Sequence, residues 1–186
     1  PIDSLSNEMR AMVSYIKWTG KNVHKETKAE GAGSKEISFL NKAADPARGK
    51  NIYVTKCKTC HGENGEGVAA TDSAGYIYPP LWGTQSYAVS AGMYRILRLA
   101  SFIKNNMPLG ATYFEPLLND EDAWDAAAFI NKQPHPKKIF TSDWPVLSTK
   151  PIDYPFGPYT DGFSEKQHKY GPFDPIKKAK YIALKK

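Results

Sequence analysis

The sequence has few cysteines, with only Cys57 and Cys60 among its 186 residues. This number argues against a disulfide framework and against a zinc centre, because structural zinc takes four ligands, usually with a second Cys or His pair. The histidines other than His61 are scattered without paired spacing. A thioredoxin-like dithiol would need a βαβ pattern, which we do not find. The two cysteines therefore need another explanation.

Long apolar runs are also missing. No stretch approaches the eighteen or so apolar residues of a transmembrane helix, so we predict no membrane span. The chain has no starting Met and no signal-peptide pattern, so we expect a mature protein or a fragment. The basic residues are not gathered on a recognition motif, which argues against nucleic-acid binding.

The two cysteines belong to the run Cys57-Lys58-Thr59-Cys60-His61, which reads C-x-x-C-H. This pattern is typical of the attachment of a c-type haem. Each cysteine can form a thioether to a haem vinyl group, and His61 can then give the iron an imidazole nitrogen. The motif predicts one covalent haem c with its iron. Since such attachment takes place outside the cytoplasm, we expect a periplasmic or similar extracytoplasmic location.

A second iron ligand is predicted at Met107. It precedes Pro108 in a loop 46 residues after His61, whereas the spacing of the other methionines is that of helix cores. Paired Met and His ligation raises the reduction potential of a cytochrome c iron. Met93, a histidine or an open sixth position remain alternatives.

The apolar stretch 75–83 is predicted to form a wall beside the haem. A ligating histidine normally gives its other ring N–H to a second-shell acceptor such as a backbone carbonyl, and the carbonyl of Pro79 or Pro80 could accept from His61. Aromatic side chains here would exclude water or bind a propionate, although core packing is the simpler interpretation for any one of them. The residues predicted to contact the haem are Tyr76, Pro80, Leu81 and Trp82.

Four helices are predicted from apolar periodicity and capping signals. They cover 4–18, 47–55 after Asp45-Pro46, 90–105, and 121–133 after Asn119-Asp120. Gly49 and Tyr53 share one face of the second helix, and we expect this face to pack on the last helix through Trp124, Ala127, Ala128 and Ile130. The glycine-rich run 62–67 lacks the strand and helix of a phosphate-binding loop, so we interpret it as a turn near the haem.

The segment after residue 133 has a different composition. Residues 134–186 hold eight of the fourteen prolines together with many aromatic residues, and a disordered tail would be poor in aromatics. We predict an extended, ordered wrap that frays over 177–186. The net charge is +5 over 1–58, −5 over 59–131 and +6 over 132–186. This asymmetry suggests steering toward a charged partner, and a solvated basic tail is the alternative.

Several segments together resemble a class I cytochrome c domain and, more narrowly, the thiosulfate dehydrogenase family of periplasmic dihaem cytochromes. They are 48–50, the C-x-x-C-H-G run, 78–83, 91–93, 102–108, 123–130, 153–159 and 167–173. The match is to the second, electron-relaying haem domain, for which the resemblance implies His61 and Met107 as iron ligands. The chain has one C-x-x-C-H and no third cysteine, so the family's catalytic Cys-ligated haem has no counterpart. Its first helix resembles the closing helix of such a first domain.

The resemblance implies a mainly α, class I cytochrome c fold with an extra N-terminal helix and a long C-terminal wrap rich in proline and aromatics. We expect an N-terminal helix and linker over 1–40, a cytochrome c domain over 41–134 and the wrap over 135–186. The expected function is single-electron transfer between redox partner proteins, with no catalytic residue assigned. One alternative is the relay part of a thiosulfate dehydrogenase, which converts thiosulfate to tetrathionate, without its catalytic domain. The other is a ligand-binding or sensor cytochrome.

Overall fold

The computed structural model describes residues 3–27, 29, 35–71, 75–138 and 143–184. The chain divides into two compact units, Pro1–Ser34 and Lys35–Lys186. Within the described residues, no helix is long and apolar enough to cross a membrane.

The first unit contains helix α1, Asn7–Thr19. Ser6 caps it by accepting a hydrogen bond from the Met9 N–H, and the chain leaves the helix at Gly20, as predicted. The helix begins three residues later than the predicted start at residue 4. The predicted apolar face is present, but α1 buries none of its residues.

The second unit is mostly helical, as the fold prediction expected. Its α-helices are α2 (Pro46–Lys56), α3 (Lys58–His61), α4 (Ile96–Asn106), α5 (Asp120–Lys132), α6 (Glu165–Tyr170) and α7 (Asp174–Leu184). Gly92–Tyr94 and Leu147–Thr149 form 3-10 turns. Strands β1 (Val68–Ala69) and β2 (Tyr76–Tyr78) pair antiparallel, with Val68 opposite Tyr78 and Ala69 opposite Tyr76.

Helices α2 and α5 cross at Gly49. An added Cβ on Gly49 would lie 1.9 Å from the Asp125 carbonyl oxygen and 2.9 Å from the Phe129 Cβ, so only glycine permits this approach. Arg48 forms ion pairs with both Asp122 and Asp125 beside the crossing. The prediction that α2 packs on α5 is correct. The α5 residues that meet Gly49 are Asp125 and Phe129, which the predicted contact face did not include. The indole of Trp124 packs on the rings of Phe173 and Phe39.

Helix α4 begins later than predicted. Instead of one helix over 90–105, the chain makes a 3-10 turn, passes through Arg95 in an extended conformation and enters α4 at Ile96. The cause is a residue of the C-terminal segment. The buried Asp153 carboxylate accepts from Arg95 Nε at 2.9 Å and Nη2 at 2.6 Å, and from the Leu97 backbone N–H at 3.3 Å.

The described part of the C-terminal segment packs on the core, as predicted, since Phe173 and Ile176 have no exposed surface. It is not extended throughout, because α6 and α7 lie within it. Helix α7 continues to Leu184, so the prediction of fraying over 177–186 is wrong as far as residue 184, and residues 185–186 lie outside the described part.

Candidate functional site

The C-x-x-C-H run lies where α2 passes into α3. The Asp45 carboxylate accepts from the backbone N–H groups of Ala47 at 2.8 Å and Arg48 at 3.3 Å, which fixes the start of α2. Helix α2 ends at Lys56 with Cys57 as its C-cap, and the next turn, α3, carries Cys60 and His61. The His61 backbone N–H donates to the Cys57 carbonyl at 3.0 Å. One turn of helix therefore holds the three residues of the motif together.

Both cysteines are half-buried free thiols. Burial, and to a lesser extent the neighbouring Cys60, raises the pKa of Cys57 to about 11. A Cys57 sulfur that carries no other group is therefore a protonated thiol at neutral pH.

The imidazole of His61 is buried and held by the backbone. Its Nδ1 lies 2.8 Å from the carbonyl oxygen of Pro79. A carbonyl oxygen only accepts, so Nδ1 is the donor, and a neutral ring then carries its lone pair on Nε2. This is the tautomer that a metal-ligating histidine adopts when a backbone carbonyl orients it. Of the two carbonyls that the sequence left open, the bond is made by Pro79 and not by Pro80.

The glycine-rich run also forms backbone hydrogen bonds with His61 and with the wall segment. The Gly67 N–H donates to the His61 carbonyl at 2.9 Å, and the Leu81 N–H donates to the Gly65 carbonyl at 2.8 Å. Gly65 has a φ of +65°, and an added Cβ would lie 2.4 Å from the Trp82 ring. The run is therefore a turn that joins the His61 segment to the wall segment, and Gly65 is required for that contact.

Tyr53 has a role that the sequence interpretation missed. Its hydroxyl donates to the Gly62 carbonyl at 2.6 Å, directly after the motif, and burial raises the pKa of Tyr53 and keeps the donor protonated. Its ring centroid lies 4.9 Å from that of Trp82 and 5.4 Å from that of Phe129. The signal available in the sequence was the position of Tyr53 one helical turn before Cys57, on the face of Gly49.

The four predicted haem-contacting residues differ in their surroundings. Pro80 is buried, while Leu81 and Trp82 are half-buried and pack against the hydrophobic core. The ring of Trp82 packs on those of Tyr53 and Phe129, and its contact with the haem stays a prediction. Tyr76, on β2, keeps 40% of its surface exposed.

Met107 lies where α4 ends. Its N–H donates to the Ile103 carbonyl at 2.9 Å, its own backbone is extended, and its side chain is half-buried against the core. Two residues earlier, the buried Asn105 amide donates to the carbonyls of Lys35 at 2.8 Å and Ser101 at 2.7 Å. Met107 is thus a loop residue, as predicted. The last turn of α4 before it is held in place by the hydrogen bonds of Asn105.

The donor set fits a covalently attached haem. The described residues offer two unpaired thiols on one turn, an imidazole whose Nδ1 is already engaged, and a thioether sulfur that leaves α4 in an extended segment. Thiols, imidazole and thioether are the groups with which c-type haem is attached and ligated. The described residues contain no cluster of three His, Cys, Asp or Glu that could hold another metal ion.

Comparison with known proteins gives matches to haem proteins. The family described as Cytochrome c matches residues 46–134. Thiosulfate dehydrogenase of Stutzerimonas stutzeri is 37% identical over 132 residues, which cover 71% of this chain and 41% of that protein. Thiosulfate dehydrogenase of Allochromatium vinosum is 38% identical over 125 residues, which cover 67% of this chain and 44% of that protein.

A solved structure, thiosulfate dehydrogenase TsdBA from Marichromatium purpuratum, matches with a TM-score of 0.63 and 30% identity. This match covers 81% of the present chain and 32% of the chain in that structure. The present chain therefore spans less than half the length of these relatives.

Proposed function

Since residues 46–134 are a cytochrome c domain with one covalently bound haem c, related to thiosulfate dehydrogenases, we propose that this chain transfers single electrons between redox partner proteins. In this proposal Cys57 and Cys60 attach the haem, and His61 and Met107 ligate the iron.

The observation that carries the proposal is the hydrogen bond from His61 Nδ1 to the Pro79 carbonyl. The bond fixes the ring orientation and the tautomer, and it raises the basicity of Nε2 as an iron ligand. When bound, the haem supplies one-electron iron redox chemistry. The chain's own residues hold the histidine ligand in place, and Pro80, Leu81 and Trp82 limit the access of water to the site. The reduction potential of the iron then depends on the identity of its ligands and on burial.

Met107 is the second ligand in this proposal. Its position outside the regular helix, half-buried and directly after an anchored helical turn, supports this role. A saturated iron binds no substrate, which suits a relay and disfavours a sensor with an open position.

Attachment through C-x-x-C-H supports a location outside the cytoplasm, and we propose the periplasm.

Replacing Met107 with Ala tests the ligation. We expect loss of the far-red absorption typical of Met–iron ligation and a large fall in reduction potential, with the haem still attached. The matched control is Met93→Ala, because Met93 is also half-buried against the core but lies in the 3-10 turn before α4. An unchanged spectrum in Met107→Ala would remove Met107 as a ligand, and carbon monoxide binding by the unaltered protein would then favour the sensor interpretation.

A second candidate is the electron-relay part of a thiosulfate-oxidising enzyme. The relatives named thiosulfate dehydrogenase favour it, with 37% and 38% identity over two thirds or more of this chain. The catalytic haem would then belong to another segment or another chain. An anaerobic titration of the oxidised protein with thiosulfate, followed by the haem spectrum, separates the candidates. Rapid reduction would indicate chemistry on thiosulfate itself, whereas reduction only by a small redox donor would indicate a relay.

A further inference from the structure

A cavity lies in the C-terminal segment, apart from the C-x-x-C-H site. Its volume is about 250 Å³, and its walls come from Leu147, Ser148, residues 150–152, residues 159–162, His168 on α6, and residues 179–180 on α7. A cavity of about 150 Å³ already holds benzene. This one is therefore large enough for a small molecule with a single ring.

The walls of the cavity are mainly apolar, and two lysines belong to them. Ile152 and the ring of Tyr159 contribute apolar surface, while Lys150 and Lys180 bring positive charge. The Lys180 ammonium donates to the Lys150 carbonyl at 3.0 Å, which ties α7 to the 3-10 turn region. An apolar body with a few placed polar groups is the usual composition of a ligand site.

Lys150 is a buried cation, with 7% of its surface exposed. Two of its three ammonium hydrogens are used by backbone carbonyls, those of Phe156 at 3.1 Å and Pro158 at 2.7 Å. The rings of Tyr154 and Tyr159 each lie 5.2 Å from the same nitrogen. Burial also lowers the pKa of Lys150 from its ordinary value, because the charged form loses hydration.

The lining offers little negative charge in return. Across the described residues, no carboxylate lies within ion-pair distance of Lys150 or Lys180. The one carboxylate of the lining, Asp161, accepts from His168 Nε2 at 3.0 Å and from the Phe163 N–H at 3.1 Å. Buried charges in proteins are normally paired. Because Asp161 is already engaged by His168, the two lysines leave the lining with an excess of positive charge, and a low-dielectric cleft with such an excess concentrates anions.

We propose that this cavity is a binding site for a small organic anion, with an apolar body of about one ring and a single carboxylate next to the two lysines. The carboxylate supplies the counter-charge that the chain does not provide, and the apolar body contacts Ile152 and Tyr159. The site belongs to the C-terminal segment and is independent of the proposed iron ligands.

Isothermal titration of the haem-loaded protein with benzoate at constant ionic strength tests the proposal. We expect saturable one-to-one binding, and binding at least tenfold weaker for benzyl alcohol, which has the ring without the charge. Lys180→Met should weaken the binding of benzoate at least tenfold. The control is Lys178→Met, on the same helix but exposed and outside the lining. This variant should leave the dissociation constant for benzoate within twofold of that of the unaltered protein.

Several results would overturn the proposal. They are the absence of saturable benzoate binding at millimolar concentration, equal binding of benzoate and benzyl alcohol, and equal loss in the two lysine variants. Lys180 is used for this test because it is only half-buried, so the Lys180→Met protein should fold. Lys150 is buried, and a substitution there would prevent folding. Ala179→Phe fills the cavity without altering charge, and it should abolish benzoate binding while the haem spectrum and the melting temperature stay close to those of the unaltered protein.

Discussion

The crossing of α2 and α5 predicts that Gly49→Ala destabilises the domain that carries the haem. Its new methyl carbon would lie 1.9 Å from the Asp125 carbonyl oxygen and 2.5 Å from the Asp125 carbonyl carbon. Real Cβ atoms essentially never approach closer than 3.0 Å, so the shortfall is more than 1 Å. Both nearest atoms are backbone, so the side chains cannot relieve the contact and the two helices must separate.

The size of the effect follows from two opposing terms. Overpacking typically costs about 1–3 kcal/mol, and a contact on backbone atoms belongs at the upper end of that range. Alanine favours a helix interior over glycine by about 1 kcal/mol. We therefore expect a net loss of about 2 kcal/mol in the free energy of unfolding.

Guanidinium unfolding, followed by circular dichroism, measures this loss. With a slope of about 3 kcal/mol per molar, 2 kcal/mol corresponds to a midpoint about 0.7 M lower. The matched control is Gly92→Ala, because a Cβ on Gly92 meets nothing within 4 Å and its backbone is compatible with alanine. It should change the stability by less than about 0.5 kcal/mol. Equal midpoints for the two variants would refute the reasoning.

Two further predictions concern the contacts of the second unit. Asp153→Asn leaves Arg95 without its counter-charge and should cost about 2–3 kcal/mol by the same unfolding assay. Glu121→Gln, which breaks an exposed ion pair with Lys42, should leave the unfolding midpoint close to that of the unaltered protein. Equal midpoints for the two variants would contradict the role of Asp153. Burial holds the pKa of Tyr87 above its ordinary 10.0, so the folded state keeps this proton longer, and stability is full below pH 10.0 and falls as the pH rises above it. Tyr87→Phe should make this decline shallower between about pH 9 and about pH 11, and an identical decline in both proteins would show that Tyr87 is not its source.

The haem-attachment motif was predictable because local chemistry determines it. C-x-x-C-H requires only a turn of helix, and Asp45 before Pro46 identifies where that helix begins. The acceptor of the His61 hydrogen bond was also predictable, since the sequence suggested Pro79 or Pro80 and the Pro79 carbonyl makes the bond. The long-range contacts were not visible, because they depend on segments far apart in sequence. Asp153 delays the start of α4 from 56 residues away.

The two C-terminal helices were missed for a different reason, since their signals are in the sequence. Ser164 accepts from the Gln167 N–H at the start of α6, which is a capping pattern. Asp174 and Pro175 open α7 with the same pair of residue types that correctly marked α2. The high proline content of the segment argued for an extended chain, but proline is well tolerated in the first turn of a helix.

The acceptor of the His61 hydrogen bond is a main-chain atom, and this affects how the protein can vary. A side-chain acceptor disappears with one substitution, but every residue placed at position 79 would still offer a carbonyl. The bond therefore withstands mutation of its own acceptor residue, and it changes only when the chain around it moves. The Leu81 N–H, bonded to the Gly65 carbonyl, holds that part of the chain. Adjusting the electronic properties of this site by mutation means repositioning a short piece of backbone. Gly67 is a direct position for such a change, because an added Cβ there would lie 2.8 Å from the Pro79 carbonyl carbon.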